Sequence, residues 1–367
     1  MSDIIISGYH GFANSGDEAL LFAILNSIRK QRKATSVTVL SKVPDETAVQ
    51  YNVNSVYRYN FLKIKKEMKN AKMLLFGGGS LLQDITSSKS ILYYLAIISL
   101  AQRCGIKTML YANGIGPINK NINRHFAAKV LNKVDIITLR DDKSDEELKK
   151  LGVTRPKVVI TADPAFTIDT DISFSGEYYT KRAGVKDNTK LFAVSIRDYK
   201  NSASCFEKEL AKLCDSIIET HGIYPLFIPM QYPLDVKISQ RVISQMKHTG
   251  YIINRELSVA EMFSILSETQ LLFGMRLHSL IYATTLAIPA MALVYDPKIS
   301  AFMESLNQPD WICAESFNAK EAKEIFDRVI RERGQRIAIL QKTNVTLKNR
   351  AEENAAYAIN LLENNND

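Results

Sequence analysis

The sequence predicts an α/β protein with two Rossmann-like domains, each built on a parallel sheet, that face each other across a cleft. The chain has 367 residues, which is more than one ordinary core needs. Short apolar runs alternate with amphipathic stretches throughout, as in parallel βα units. A polar stretch at Ser173–Asn188 separates two complete alternating patterns. We therefore expect an N-terminal domain at 1–175, a C-terminal domain at 185–345 and a C-terminal helix and tail at 346–367.

The first half carries six apolar runs of strand length and four longer amphipathic stretches. The predicted strands lie near 3–8, 36–41, 72–77, 107–112, 135–139 and 157–161. The predicted helices lie near 15–32, 87–103, 121–133 and 142–151. The first helix has a clear start, because Ser15 can act as its N-cap and Glu18 follows three residues later, which is a capping box.

The second half repeats this alternation. Its predicted strands lie near 191–197, 223–229, 270–274 and 290–295. Its predicted helices lie near 203–220, 236–247, 258–268, 276–286 and 298–306. The stretch Ala319–Glu363 is largely polar and is predicted to be helical.

The net charge of +8 is placed unevenly. Residues 1–175 hold 24 Lys and Arg and 16 Asp and Glu, so this half carries all of the excess. Two basic clusters stand out, one at 29–33 and one at 63–72. Each can be a solvated helix face or can attract a phosphate-bearing surface such as an anionic membrane. The absence of zinc-finger, RNP-like and helix-turn-helix signals disfavours nucleic acid.

The remaining features of the composition indicate a protein with reduced cysteines and without a membrane-spanning helix. The four cysteines form no Cys-x-x-Cys pair, and we expect them to be small buried hydrophobes. The longest apolar run, Ile91–Ala101, has about half of the ~20 residues that span a bilayer. It predicts a buried core helix or, alternatively, a helix resting on a membrane. The first residues become a strand without a basic n-region, so we expect no signal peptide.

Ligands of open parallel sheets bind beyond the carboxyl ends of the strands, so the residues there are the candidates for chemistry. GYHGFANSGDEA (8–19) follows the first strand and matches neither a dinucleotide fingerprint nor a P-loop. Asp17 and Glu18 at the helix start would repel a phosphate. The loop therefore favours a neutral polyhydroxyl ligand, with Gly11, Asn14 and Asp17 as candidates, or serves capping and packing only.

The segment FGGGSLLQD (76–84) follows the third strand. Gly78 and Gly79 permit close backbone approach, and Gln83 and Asp84 offer hydrogen bonds of the kind that sugars accept and donate. The alternative is a structural turn. GIGP (114–117) is another close-approach turn, and LRD (139–141) is either a salt-bridged strand end or part of the site.

The segment FGMRLHSLIYA (273–283) is the most informative of the second half. The strand ends at Gly274, and the helix that follows has Arg276 and His278 in its first turn. Exposed amides and a guanidinium there predict an anion site. His278 adds a side chain that exchanges protons near neutral pH. Arg197 closes a strand of the same half.

The next strand ends in YDPK (295–298), where Pro297 is well placed to start a helix. Lys298, Arg276 and His278 would then converge from adjacent strand ends on a small, multiply charged anion. We expect the other histidines to lie on the surface or in packing contacts, with His10 left open; these are His125, His221 and His248. No metal site is predicted, since the acidic Asp169-Thr170-Asp171 lies in the expected linker without histidine support.

Taken in order, these segments together with DPAF (163–166) resemble the polysaccharide pyruvyl transferase family, in particular its CsaB-type bacterial members. The resemblance covers most of the chain. It implies a GT-B-like fold, phosphoenolpyruvate as donor and a pair of sugar hydroxyls as acceptor, with no cofactor besides this co-substrate.

The CsaB-type resemblance further implies a lipid-linked disaccharide acceptor, a precursor of a secondary cell-wall polymer, in which N-acetylmannosamine receives a 4,6-ketal. Such polymers anchor surface-layer proteins. The enzyme is then expected in the cytoplasm, peripheral at the inner face of the membrane, with an anionic membrane surface as a further partner and no nucleic acid.

The resemblance gives the candidate residues roles. Arg276 and Lys298 would bind the carboxylate and phosphate of the donor, with Gly274 beside them and Arg197 as a third cation. Arg276 and His278 would be catalytic, His278 by proton transfer. The glycine loops with Asp17, Gln83 and Asp84 would hold the sugar. Two alternatives stay open: a sugar-nucleotide glycosyltransferase of the same architecture, and a non-catalytic protein that binds phosphorylated glycans or lipid.

Overall fold

A computed structural model describes residues 2–85, 88–169, 175–199 and 203–363. The chain divides into two compact units. Unit 1 comprises Met1–Ile168 and Thr346–Asp367, and unit 2 comprises Asp169–Val345.

Unit 1 is built on a seven-stranded parallel sheet. Its strands are β1 (Ile4–His10), β2 (Val37–Ser41), β3 (Asn54–Tyr57), β4 (Met73–Gly77), β5 (Lys107–Asn113), β6 (Ile136–Leu139) and β7 (Lys157–Ile160). Their order across the sheet is β3-β2-β1-β4-β5-β6-β7. The helices are α1 (Ser15–Gln31), α2 (Pro44–Tyr51), α3 (Phe61–Met68), α4 (Ser88–Arg103), α5 (Asn121–Leu131) and α6 (Asp142–Lys150). A 3₁₀ turn follows at Pro164–Thr167.

Helices cover both faces of this sheet, which is why its central strands, such as β4, are buried and largely apolar. One core contains Ile64, Ile98 and Leu131 from three of the helices. The other contains Ile24 of α1 with Leu362 of the last helix, α14 (Arg333–Glu363). The run Ile91–Ala101 lies in α4, where Ile91, Ile97, Ile98 and Ala101 are fully buried. The predicted buried core helix is therefore confirmed.

The start of α1 differs from the prediction. The helix begins at Ser15, but its N-cap is Asn14, whose Oδ1 accepts a hydrogen bond from Gly16 N at 3.2 Å. With Asn14 as the N-cap, Glu18 is not at the N3 position that a capping box requires. Its Oε1 accepts from Gly11 N at 2.9 Å and its Oε2 from Tyr51 Oη at 2.6 Å, so Glu18 fixes the glycine loop.

Three elements between the second and third predicted strands were not predicted. These are α2, β3 and α3. Strand β3 (NSVY) is an edge strand in which only Val56 is buried, so it has no apolar run. Both helices have eight residues, too few for a clear periodicity.

Unit 2 has a six-stranded parallel sheet. Its strands are β8 (Lys190–Ser195), β9 (Ile223–Phe227), β10 (Tyr251–Ile252), β11 (Thr269–Gly274), β12 (Ala290–Val294) and β13 (Trp311–Cys313), in the order β10-β9-β8-β11-β12-β13. Its helices are α7 (Gly176–Arg182), α8 (Ala203–His221), α9 (Leu234–Ile243), α10 (Val259–Ser267), α11 (Leu277–Thr285), α12 (Pro297–Ser305) and α13 (Ala319–Arg331). The stretch predicted as a linker contains α7, and Gly176 lies so close to Ser264 O that a Cβ there would sit 2.0 Å from it.

Each sheet has one place where the strand order reverses. In unit 1 this place lies between β1 and β4, and in unit 2 between β8 and β11. The connections leave such a pair in opposite directions and open a crevice at the carboxyl ends, where ligands of this fold class bind. The segments that follow these four strands are the two glycine loops of the first half, Arg197, and the Arg276–His278 turn.

Candidate active site

The two glycine loops of unit 1 meet at the start of α1. Gly78 and Gly79 have φ of +59° and +74°, a backbone region that only glycine adopts readily. A Cβ on Gly78 would lie 2.9 Å from Leu20 Cδ1, and one on Gly79 would lie 3.5 Å from Asp17 Oδ1. The structure therefore brings Gly78, Gly79 and Asp17 together. Gly11 lies at the other end of the first loop, held by Glu18.

Asp84 is engaged in the structure of the loop itself. It is 7% exposed; its Oδ1 accepts from Asn119 N at 2.8 Å, and its Oδ2 accepts from Lys120 N and Asn123 Nδ2 at 2.9 Å each. Burial by itself would raise the pKa of Asp84, but these hydrogen bonds hold it below the ordinary value. Gln83 Oε1 accepts from Ile85 N at 2.8 Å. The structure gives both residues a loop-fixing role.

Arg140 forms the salt-bridged strand end that was one of its two interpretations. Its Nη1 lies 3.1 Å from Asp163 Oδ2 and its Nε 3.5 Å from Asp141 Oδ2. Its Nη2 donates to Ser80 Oγ at 2.6 Å. The bonds tie the loop after β4 to the ends of β6 and β7.

Sequence reasoning missed Arg58, which follows β3 at the same carboxyl edge. The side chain is 3% exposed; its Nη1 donates to Gly8 O at 3.0 Å and its Nη2 to Tyr94 Oη at 3.2 Å. Its guanidinium faces five aromatic rings, at centroid distances from 4.6 Å (Tyr93) to 5.9 Å (Tyr9). The only advance signal was an arginine in an aromatic-rich segment, YRYNF.

His10, left open by the sequence, is fully enclosed beside Arg58. It is 1% exposed, and among the described residues neither ring nitrogen has a hydrogen-bond partner. Its ring folds back over Gly8, where a Cβ would meet Nε2 at 2.3 Å. Burial and then the Arg58 charge lower the pKa of His10 to about 3. His10 is therefore neutral at physiological pH.

In unit 2, Arg276 is held by two side chains that the sequence did not connect with it. It is the N-cap of α11, and its Nη2 donates to Asp235 Oδ1 at 2.6 Å and to Gln231 Oε1 at 3.2 Å. Asp235 is 1% exposed, and its Oδ2 accepts from Met230 N and Gln231 N. Asp235 and Gln231 together fix the guanidinium of Arg276, and the Asp235 carboxylate offsets part of its charge. No local pattern joins positions 41 residues apart.

Two buried polar atoms mark the crevice between β8 and β11. Among the described residues, Arg276 Nε and Ser195 Oγ have no hydrogen-bond partner. Ser195 pairs in register with Gly274, which precedes Arg276 by two residues in the chain. Since buried polar groups are nearly always hydrogen-bonded, both atoms are suited to an oxygen-rich ligand. Ser195 is a site candidate that sequence reasoning did not name.

The remaining candidates follow the three neighbouring strands β8, β11 and β12. His278 lies in the first turn of α11, with its ring 6.3 Å from that of Tyr282. The Arg197 guanidinium lies 5.5 Å from the ring centroid of Tyr295. Pro297 is the first residue of α12, as predicted, and Lys298 Nζ lies 3.1 Å from Asp296 Oδ2. The structure thus places the predicted donor residues at one edge of one sheet.

The other histidines lie outside this edge. His221 and His248 pair with Asp327 and Glu219, at 2.7 and 3.1 Å, and His125 is exposed. Within the described ranges no group of three or more His, Cys, Asp or Glu could hold a metal ion. Thr170 and Asp171 of the acidic motif fall outside those ranges.

The expectation of buried cysteines is confirmed for Cys214 alone among the four. Its burial raises the pKa of its thiol, whereas Cys104 and Cys313 are partly exposed and Cys205 is exposed. No helix among the residues that the structure covers has the length and apolar character needed to cross a bilayer.

Solved structures of the same fold place the chain among GT-B-like glycosyltransferases and epimerases. MnaA from S. aureus, solved with UDP, has a TM-score of 0.67 and 12% identity, with 98% of each chain covered. UDP-GlcNAc 2-epimerase from Neisseria meningitidis has a TM-score of 0.64 and 12% identity, over 98% of this chain and 100% of that one. HepE from Anabaena, solved with UDP-glucose, has a TM-score of 0.63 and 9% identity, over 97% and 99%. At such identities the likeness concerns the fold alone.

Within that fold class, residues 14–297 match the family described as Polysaccharide pyruvyl transferase. The chain belongs to this family and is a pyruvyltransferase enzyme. It is also 22% identical over 364 residues to the amylovoran biosynthesis protein AmsJ of Erwinia amylovora, covering 84% of this chain and 86% of that protein.

Proposed function

We propose that the enzyme takes pyruvate from phosphoenolpyruvate and places it as a 4,6-ketal on a sugar, N-acetylmannosamine, of a lipid-linked disaccharide precursor. The observation that carries the donor assignment is the set of basic side chains that follow β8, β11 and β12. Phosphoenolpyruvate has a carboxylate and a phosphate within a few atoms, and a guanidinium and an ammonium on neighbouring strands suit these two groups.

Arg276 is the proposed carboxylate ligand. Asp235 and Gln231 hold its Nη2, so the guanidinium is fixed before the donor arrives. Such preorganisation lowers the entropy cost of binding. Lys298 and Arg197 are the proposed phosphate ligands. Ser195 and Gly274 pair in register at the ends of β8 and β11, the strands that precede Arg197 and Arg276.

The chemistry requires one proton transfer to carbon. C3 of the enol accepts a proton and becomes the methyl group, while one sugar hydroxyl oxygen bonds to C2. The second hydroxyl oxygen then bonds to C2 as the C2–O bond to phosphate breaks. The first hydroxyl proton balances the one delivered to C3, and the second leaves with the phosphate. His278 is the proposed carrier of the proton to C3. The reaction balances with these two substrates and no redox cofactor.

Unit 1 is the proposed acceptor domain. Gly11, Gly78, Gly79 and Asp17 lie in the loops that follow β1 and β4, beside the crevice between these strands. Asn14, Gln83 and Asp84 would shape this surface through the loop contacts described above.

The biological setting follows the CsaB-type resemblance. We propose that the product serves a secondary cell-wall polymer that anchors surface-layer proteins. The enzyme would work in the cytoplasm, peripherally at the inner membrane face where a lipid-linked acceptor is presented.

The first test is a thermal-melt series with phosphoenolpyruvate, UDP-sugars and NAD. A ligand at about 100 times its dissociation constant adds about 2.7 kcal/mol to the free energy of unfolding. We expect stabilisation by phosphoenolpyruvate that disappears in Arg276→Ala and persists in Arg331→Ala, a control at an exposed arginine in the last turn of α13. Stabilisation by a UDP-sugar instead would favour the glycosyltransferase alternative.

A further inference from the structure

The second basic cluster lies beside a set of exposed aromatic and aliphatic side chains in unit 1. We define the aromatic ridge as Tyr57, Tyr59, Phe61 and Leu62, at the end of β3 and the start of α3. Their exposed fractions are 40%, 49%, 45% and 86%. Large apolar side chains are rarely exposed so close together, and clustered exposure marks an interaction surface.

Ring contacts show that the ridge is continuous. Tyr57 and Tyr59 have ring centroids 5.6 Å apart. Tyr59 and Phe61 both contact Tyr93 of α4 edge-on, at 5.4 and 6.2 Å. Tyr93 is only partly buried, and its neighbour Leu92 is 41% exposed. The rings of the ridge therefore contact one another and Tyr93, whose ring in turn lies 4.6 Å from the Arg58 guanidinium.

The lysines of the same segment are positioned beside the ridge. Helix α3 (FLKIKKEM) buries Ile64 and Met68, whereas Lys63, Lys65, Lys66 and Lys69 are exposed. None of these four forms an ion pair with a described residue, unlike Lys72, whose Nζ lies 3.0 Å from Asp3 Oδ1. On the other side, Lys42 Nζ lies 5.3 Å from the ring centroid of Tyr57.

The first basic cluster lacks these features. Arg29 Nη2 donates to Tyr51 O and Asn52 O at 2.9 and 2.8 Å, so its charge is used to fix the end of α2. Lys30 and Lys33 are exposed, but no exposed aromatic side chain lies within the same stretch of sequence. Of the two basic clusters, therefore, the second lies beside exposed rings and the first does not.

We propose that the aromatic ridge and the α3 lysines form the surface by which the enzyme docks on an anionic lipid bilayer. Tyrosine and phenylalanine rings settle at the headgroup level, Leu62 enters the acyl boundary, and the lysines meet the lipid phosphates. Exposed apolar side chains next to exposed lysines favour an anionic membrane over a protein partner. The inference rests on the proposed function, since it names the surface that would bring the enzyme to a lipid-linked acceptor.

The test is co-sedimentation of the full chain with phosphatidylglycerol-containing vesicles, with pure phosphatidylcholine vesicles as the neutral reference. We expect binding to the former only, weakened by salt. Leu62→Glu should reduce binding at least about tenfold. The matched control is Val49→Glu, since Val49 of α2 is also 86% exposed and lies off the ridge. It should bind as the wild type does.

A second pair of variants tests the charges without changing the ridge. Lys65→Gln with Lys66→Gln should weaken binding about 25-fold, since each lysine near an anionic surface contributes about fivefold. Lys30→Gln with Lys33→Gln removes the same charge from the first basic cluster and should have little effect. Equal weakening by both pairs would mean that only net charge matters and would overturn the assignment of this surface.

Two further results would contradict the proposal. One is a wild-type protein that stays in the supernatant with anionic vesicles at low salt. The other is a wild-type dimer that Leu62→Glu converts to monomer with no vesicle binding by either, which would assign the ridge to a second copy of the chain. The phosphoenolpyruvate-induced melt shift, measured in the same variants, stays unchanged in either case, so failure here is separable from failure of the proposed reaction.

Discussion

Arg276 Nη2 donates to Asp235 Oδ1 at 2.6 Å, and the carboxylate lies in a side chain that is 1% exposed. This pair connects the turn between β11 and α11 with the start of α9. Because Asp235 also accepts two backbone hydrogen bonds, it organises the loop after β9 and the proposed donor ligand together.

Asp235→Ala should lower the free energy of unfolding by about 3–5 kcal/mol, because it leaves a buried guanidinium without its counter-ion. Chemical denaturation measures the change. The control is Asp187→Ala, which removes a 73% exposed carboxylate paired with Lys181 and should cost at most about 1 kcal/mol. Equal losses in the two variants would mean that the Arg276–Asp235 pair does not form.

His278→Ala should reduce ketal formation by about 10²–10⁴-fold, the usual contribution of a positioned general acid. The melt shift with phosphoenolpyruvate should persist, since Arg276 and Lys298 remain. Phosphate release and product mass measure turnover. His125→Ala, at an exposed position on α5, should leave the rate unchanged; full activity in His278→Ala would remove this residue from the mechanism.

Lowering the pH below the ordinary pKa of histidine should reduce the free energy of unfolding because of His10. The folded pKa of about 3 lies below the ordinary value of 6.5, so the unfolded chain binds a proton that the folded one does not. Above pH 6.5, His10 therefore does not reduce the free energy of unfolding. As the pH falls from 6.5 towards 3, this free energy decreases by about 1.4 kcal/mol per pH unit.

Denaturant titrations between about pH 7.5 and 5.5 measure the change in the free energy of unfolding with pH. This range includes about one pH unit below the ordinary pKa of histidine. His10→Gln should flatten this pH dependence, and His125→Gln should not. An unchanged slope in His10→Gln would show that another group carries the pH dependence.

Arg58→Lys should destabilise unit 1 by about 1–3 kcal/mol although it keeps the charge. Lysine lacks the planar fork that reaches both Gly8 O and Tyr94 Oη, and it stacks less well on the surrounding rings. Thermal and denaturant unfolding measure the loss. Lys42→Met, at an exposed cation beside Tyr57, is the control and should change stability by less than about 0.5 kcal/mol.

Gly78→Ala should cost more than Gly105→Ala. Both glycines have positive φ, +59° and +75°, so both variants pay for backbone strain of about 1 kcal/mol. Only at Gly78 does the added methyl group meet a neighbour, Leu20, within 3 Å, whereas Gly105 faces open space. We expect a further loss of about 1–2 kcal/mol at Gly78, seen by chemical denaturation. Equal costs would mean that Leu20 moves freely.

The parallel α/β class and the strands with buried apolar runs are predictable from the sequence, because a strand covered on both faces must be apolar throughout. Strand β11, for example, was placed correctly with the turn to Arg276. The sequence also predicts the basic residues of unit 2 on neighbouring strand ends, since a short strand–turn–helix signal is local. The edge strand β3 and the short helices α2 and α3 were missed because they carry no such signal.

The roles of those side chains depend on tertiary contacts. Asp84, a candidate sugar ligand from its sequence, is bound by backbone amides 35 and 36 residues away. Asp235 and Arg58 gave no functional signal, yet one holds Arg276 and the other sets the environment of His10. Tyr57, Tyr59 and Phe61 precede the second basic cluster in the sequence, but their exposure on the surface follows from the fold. Hydrogen-bond partners and desolvation depend on segments distant in the chain, and local sequence patterns do not encode them.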